Sequence, residues 1–218
     1  MNAELHIDGS TPLTKASVAA VEAACAAVEA DKATTMLTVY VTGTANPDWT
    51  HGLDVALVTK WERSLRRLER LGVLTLAVAS GDCGGIALDG LLATDYRIAA
   101  PDLRLLLSVD GGATWPGMAI FRLIQQGGGA RIRRAILFGG HIDAHESVDL
   151  GLVDEVTDDP DKALQAVAEM VSPLSGRELA IRRQLMFDAA TSTFEDALGR
   201  HLAACDRALR RSTAMGAA

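Results

Sequence analysis

A chain of 218 residues, 49% hydrophobic and 22% charged, holds enough apolar material for one domain with an appendage and has no tract biased enough for extended disorder. Its formal net charge of −7 excludes a general nucleic-acid surface, which needs a clustered basic face to displace counterions from phosphates. Three scattered cysteines, Cys25, Cys83 and Cys205, without a C-x-x-C pair, argue against a disulfide framework or a zinc site and fit a reducing compartment. The opening MNAELHIDGS lacks the basic-then-apolar pattern of a secretion signal, and no apolar run approaches the ~20 residues that cross a bilayer, so no membrane association is expected and the cytoplasm is the expected location.

In chain order, Glu4 to Asp8 alternates weakly like an edge strand, and Thr11-Pro12-Leu13-Thr14 opens an alanine-rich helix through Val18 to Val28. Met36 to Thr42 reads as a buried strand. A polar, turn-rich loop from Gly43 to Asp54 follows. Leu57, Trp61, Leu65 and Leu68 then recur at helical spacing and predict a helix from about Ala56 to Leu71, with Asp54 as its N-cap. Val73 to Ala79 is the next buried strand. The chain leaves it through Gly81, Gly84 and Gly85 into a short apolar helix near Ile86. Such a turn points free backbone N–H groups toward whatever lies above it, a place to bind an oxyanion.

Short strands near Asp95 to Ala99 and Arg104 to Ser108 come next, then glycine-containing loops and helices to Leu150, and a last strand at Val153 to Val156. After Asp158-Asp159-Pro160-Asp161 the pattern turns helical, with Leu164, Val167, Ala168 and Val171 on one face and Pro173 as the break. Leu174 to Ala190 and Phe194 to Arg211 read as two further helices, Leu and Ala inside, Arg and Asp outside, packing on the core or on a neighbouring subunit. The alternation of strands and helices indicates an α/β fold, divided into a core of residues 1–160 and a helical region of residues 161–218. No G-x-G-x-x-G follows the first strand and no Walker lysine follows a glycine loop, which disfavours a dinucleotide or P-loop site.

Several other residues invite functional readings that their surroundings do not sustain. His51 reads as a surface loop residue. His141 and His145 lie four apart after Gly139-Gly140 with no third ligand near, so no metal site is expected. Gly127-Gly128-Gly129 ahead of Arg131-Ile-Arg-Arg134 reads as a flexible helix start rather than a phosphate nest. Trp115 and Met118 read as pocket wall or core.

Four segments share an order. Val39-Tyr-Val-Thr-Gly43 with His51-Gly52-Leu53-Asp54 is similar to a strand followed by an "A-G-x-D" turn. The stretch from Gly72 to Ala100 is similar to "P-V-I-A-A-V-N-G-x-x-x-G-G-G-x-E-L-A-x-x-C-D-x-R-I-A". Trp115 to Ile124 is similar to "x-P-x-x-G-x-x-R-L", and Leu137 to Val153 to "L-x-G-x-x-I-x-A-x-E-A-x-x-x-G-L-V-D". Across about residues 36 to 156, these segments resemble the crotonase (enoyl-CoA hydratase/isomerase) superfamily.

The resemblance implies a spiral of β-β-α turns, a C-terminal helical region that builds a homotrimer or hexamer, and an acyl-CoA substrate, with no cofactor beyond the CoA that the substrate carries. It implies that the thioester oxygen meets the N–H groups of Leu53, after Gly52, and of Ile86, after Gly84-Gly85. Gly52, Leu53, Gly85 and Ile86 are therefore the candidate oxyanion and substrate-binding residues. Of the two glutamates that hydratases place across the site, the first position holds Asp89, and the second falls on Val109, with Asp110 one residue later. Asp89 and Asp110 are the candidate catalytic carboxylates, Asp110 reaching the site if Gly111-Gly112 turns the chain. A CoA phosphate would meet Lys60 or the Arg207, Arg210 and Arg211 cluster.

The activity implied is that of a hydratase, dehydratase or isomerase acting through an enolate. The short chain also looks like the accessory hydratase-like proteins of actinobacterial 3,5-dihydroxyphenylacetyl-CoA formation, in antibiotic-type secondary metabolism. The alternative is a catalytically degenerate crotonase that serves as a binding subunit, with a polyketide synthase as partner.

Overall fold

Strands β1 (Asn2–Asp8), β2 (Met36–Gly43) and β3 (Leu74–Gly84) pair in parallel in a computed structural model that describes residues 2–46, 49–172 and 176–216. Parallel neighbours need crossover connections, and helices α1 (Lys15–Ala30) and α2 (Val55–Leu68) supply them. Both start where the sequence places a cap. Thr14 and Ser17 form a reciprocal capping box on α1, and the Asp54 carboxylate accepts from Leu57 N–H at 2.6 Å on α2. Strands β4 (Tyr96–Ala99) and β9 (Glu155–Val156) complete the parallel order β1-β2-β3-β4-β9.

The sequence predicts that β3 ends at Ala79; instead it runs on to Gly84 and changes partners. Its first half pairs with β4, while Asp82–Gly84 pair with β5 (Arg104–Leu106). Gly81, at φ +61°, makes the change, its N–H donating to Asp102 Oδ1 at 3.1 Å rather than into the ladder. The register of β2 shifts at the same level, between Val41 and Gly43. Strand β3 thereby delivers the chain into α3 (Ile86–Leu92) at the end of one ladder and the start of the next. Glycine is needed here for space as well. A Cβ on Gly9 would strike the carbonyl oxygens of Gly43 and Gly84, and one on Gly84 would lie 2.5 Å from Thr44 Oγ1.

Three short strands have no counterpart in the sequence reading. Residues Val109–Asp110 (β6) and Ala113–Thr114 (β7) form a hairpin, and Ile142–Asp143 (β8) pairs antiparallel with β5. Between them α4 (Met118–Gly127) and α5 (Gly129–Phe138) meet at Gly128, which at φ +78° closes the first and caps the second. The triple glycine is thus a joint between helices. The short helix α6 (Ala144–Asp149), capped by Asp143, leads back to β9.

The sheet buries both faces. Leu37, Val39, Val41, Ala77 and Ala79 pack under α1, α2 and α3, while Met36, Leu74, Leu76 and Ile98 pack against Ala163 and Val167 of α7 (Pro160–Val171). Helices α8 (Gly176–Ala189) and α9 (Phe194–Gly216) follow. The predicted break at Pro173 and the start at Leu174 lie outside the described residues.

Contrary to the pattern of apolar inside and charged outside, the buried residue of α8 is Arg183, while Met186 is exposed. Arg183 Nε and Nη2 donate to Asp95 at 2.6 and 2.5 Å, and its remaining donors reach the carbonyls of Glu69, Leu71 and Val73. Every guanidinium donor is used, which makes burial of the charge tolerable. Among the described residues no helix is long and apolar enough to cross a membrane.

Candidate active site

Helices α2 and α3, the loops before them and the start of α4 enclose a mostly apolar pocket. One wall is Gly85, Ile86 and Asp89 on α3, another is Val58, Trp61 and Glu62 on α2, and the mouth carries Trp49 and Trp115. The two tryptophan rings meet edge to face at 5.0 Å, a favoured aromatic geometry, and Trp49 Nε1 donates to the Val109 carbonyl at 3.1 Å. The β6-β7 hairpin is thereby tied to the pocket mouth.

Asp89 sits on the first turn of α3 and opens partly onto the pocket. Burial among apolar neighbours pushes its carboxyl well above the usual range, against which the Trp61 hydrogen bond and the Arg122 charge work. The indole N–H of Trp61 donates to Asp89 Oδ2 at 2.9 Å. Gly85, at φ +54° and ψ −130°, precedes Ile86 without a side-chain cap, and the Ile86 N–H, first in the helix, has no intrahelical acceptor. The Ile86 side chain is buried on the pocket wall.

The other expected residues are distributed differently. Leu53 lines the pocket, but its N–H donates to the Thr50 carbonyl at 3.0 Å, so the turn itself uses the donor assigned to the thioester oxygen. Gly52, at φ +78°, is exposed and shapes that turn from outside the pocket lining. Asp110 requires a correction of placement. Gly111 (φ +56°) and Gly112 (φ +84°) turn the chain back onto β7, so Asp110 is exposed on the hairpin and does not line the pocket. Val109, at the second glutamate position, is half exposed on the same hairpin. His51, His141 and His145 are exposed. Lys60 lies with Lys15 and Arg63 in a separate groove between α1 and α2. Arg210 pairs with Asp206, and the Arg211 side chain lies outside the described residues.

Sequence reasoning missed Glu62 and Arg122. Glu62 follows Trp61 on α2 and faces the pocket, four residues after Val58; a carboxylate beside that apolar stripe was the available signal. Its Oε2 lies 2.9 Å from Arg122 Nη1, and Arg122 Nε donates to Glu69 Oε1 at 2.8 Å. Burial pushes Glu62 up to about 6, with the Asp89 charge adding to the rise and Arg122 opposing it. Ser108, also on the pocket, buries an Oγ with no hydrogen-bond partner among the described residues.

A protein from Amycolatopsis orientalis named "Enoyl-CoA-hydratase" is 56% identical over 213 residues, covering 97% of this chain and 98% of the relative. The chain belongs to the enoyl-CoA hydratase (crotonase) superfamily. The fold agrees. An enoyl-CoA hydratase structure from Mycobacterium smegmatis superposes with a TM-score of 0.84 at 14% identity, covering 95% of this chain and 87% of that one. One from Shewanella pealeana gives 0.80 at 17% identity, covering 93% and 79%. No family model matches the chain. As a crotonase-fold chain it places its pocket where the α3 turn, α2 and the 49–53 turn converge, so that Asp89 is the acid of the resemblance that reaches it.

Proposed function

We propose that this chain binds an acyl-CoA thioester and interconverts enoyl and 3-hydroxyacyl thioesters through an enolate. The observation that carries the reading is Asp89, a carboxyl of raised proton affinity facing an apolar pocket next to the Gly85-Ile86 turn. A carboxyl whose proton affinity is raised by burial is suited to deliver a proton to the α-carbon, and a backbone N–H aimed at the developing oxyanion stabilises charge that appears only as the enolate forms. Ile86 supplies that N–H. Leu53 adds a second when the substrate displaces its bond to Thr50. The name of the Amycolatopsis orientalis relative supports the same chemistry.

Within this reading the substrate is a polyketide-derived CoA thioester and the reaction a dehydration on the way to 3,5-dihydroxyphenylacetyl-CoA, with a polyketide synthase as upstream partner. The assembly is a homotrimer or hexamer. Phe194, Leu198, Leu202 and Leu209 are exposed on α9 at spacings of one helical face, an area that a second copy would cover. Light scattering tests the assembly: a monomer at micromolar concentration removes it.

The deciding experiment supplies 2-enoyl-CoA and 3-hydroxyacyl-CoA thioesters to the purified protein and to Asp89→Asn. Turnover by the parent and loss in the variant are expected; equal turnover removes Asp89 from the chemistry. A second reading, a binding subunit without chemistry, is favoured by the Leu53 N–H spent on Thr50 and by valine at position 109. Tight thioester binding with no turnover by the parent would establish it.

A further inference from the structure

Deepening the enzymatic reading above, and resting on it, we propose that Glu62 is the second proton-transferring carboxyl of this pocket, in the role for which position 109 offers only valine. Glu62 on α2 and Asp89 on α3 line the same pocket from adjacent walls. Neither is brought there by sequence proximity.

Glu62 is less fully bonded than its neighbour Glu69. Glu69, held by the same arginine, uses both oxygens: Oε1 accepts from Arg122 Nε at 2.8 Å and Oε2 from Arg66 Nη1 at 2.7 Å. Glu62 is held by one contact, its Oε2 lying 2.9 Å from Arg122 Nη1, an ion pair that favours the Glu62 anion while burial opposes it. Ser108 Oγ, also on the pocket, is buried without a hydrogen-bond partner among the described residues. A buried hydroxyl without a partner on a pocket wall is a place where a polar group of a bound ligand can bond.

The charges that face Glu62 are the Asp89 carboxyl, the Arg122 guanidinium and the Glu69 carboxylate. Arg122 favours the anion at Glu62, whereas Asp89 receives a neutral indole N–H and no direct cation. Two carboxyls in one apolar pocket resist double ionisation, and because the Arg122 ion pair lies on Glu62, Glu62 takes the role of base and Asp89 that of acid. In the hydration direction, the oxygen of water bonds to the β-carbon of the enoyl thioester while one water proton passes to the Glu62 carboxylate. The π electron pair moves into the thioester enolate, whose oxygen takes the Ile86 N–H. Asp89 then gives its proton to the α-carbon, yielding the 3-hydroxyacyl thioester, and Glu62 returns one proton by way of solvent to Asp89. Dehydration is the reverse, and no oxidant or reductant is required.

The test measures hydration of crotonyl-CoA and of an aryl-substituted 2-enoyl-CoA by the parent, Glu62→Gln, Glu62→Asp and Asp89→Asn across about pH 5 to 9, with melting curves for each. Glu62→Gln is expected to lower kcat roughly 10²- to 10⁴-fold with KM little changed, and to abolish the acid limb of the kcat/KM profile. Glu62→Asp is expected to fold, to keep a displaced acid limb and to show an intermediate rate. A Glu62→Gln variant with the parent's rate and profile overturns the assignment and leaves the Asp89 reading standing. If Glu62→Gln does not fold, Glu62→Asp decides, and a parent-like rate with an undisplaced limb overturns the assignment. A parent that turns over no enoyl thioester overturns the enzymatic reading and this inference with it.

Discussion

Trp61 donates its indole N–H to Asp89 Oδ2 at 2.9 Å, joining α2 to α3 across the pocket floor. The bond holds one carboxyl oxygen in place. It also favours the Asp89 anion, against the burial that disfavours it.

Trp61→Phe keeps the ring in the core and removes only the donor. The Asp89 carboxyl should then rise further, so the basic limb of the activity profile, where its proton is lost, should move to higher pH. The change should cost about 1–3 kcal/mol in urea unfolding. An unmoved limb would separate Trp61 from the chemistry.

Glu62 makes stability depend on pH in a stated window. Its carboxyl rises from the ordinary 4.5 to about 6 on folding, so between these values the native state binds more protons than the unfolded chain. Stability therefore falls as pH rises from about 4.5 to about 6 and is flat above, a loss of about 2 kcal/mol from this group. Glu62→Gln should lack that slope. Urea denaturation of parent and variant at several pH values in this window gives the difference directly, and parallel curves would refute the burial argument.

Gly85→Ala places a side chain at φ +54° and ψ −130°. The nearest atoms to the new Cβ, Ser108 Oγ at 3.5 Å and Ala45 Cβ at 3.6 Å, leave room, so the penalty is conformational. We expect about 1–3 kcal/mol of destabilisation and, through a misaimed Ile86 N–H, a roughly 10²- to 10³-fold lower kcat. Retained activity in a folded variant would dissociate the turn from oxyanion stabilisation.

Arg183→Met leaves the Asp95 carboxylate and the carbonyls of Glu69, Leu71 and Val73 without their guanidinium. Asp95 is exposed and rehydrates, whereas each buried carbonyl left without a donor costs about 1–3 kcal/mol, and the loss should appear in thermal unfolding together with faster hydrogen exchange along α8. If α8 exchanges at the parent's rate, its docking depends on other contacts.

Much of the frame was legible because it is local. Continuous apolar runs mark β2 and the first half of β3, Asp54 marks the start of α2, and glycines mark the turn into α3. The boundary of β3 was misread because Gly81 reads as a terminator, whereas here it bends a strand that finds new partners in β5. The helical face of α8 was misread because a fully bonded arginine can be the buried residue, an outcome that hydropathy does not encode.

The sequence by itself determined the main strands and helices of the sheet, the caps of α1 and α2 and the acid at position 89, since each depends on neighbours within a few residues. Only the tertiary structure decided which acids share a pocket: it brought Glu62 beside Asp89 from another helix, set Arg122 against Glu62, and turned Asp110 away on its hairpin. The physical reason is that proton affinity and charge pairing are set by burial and by through-space neighbours, and these come from chain segments far apart in sequence.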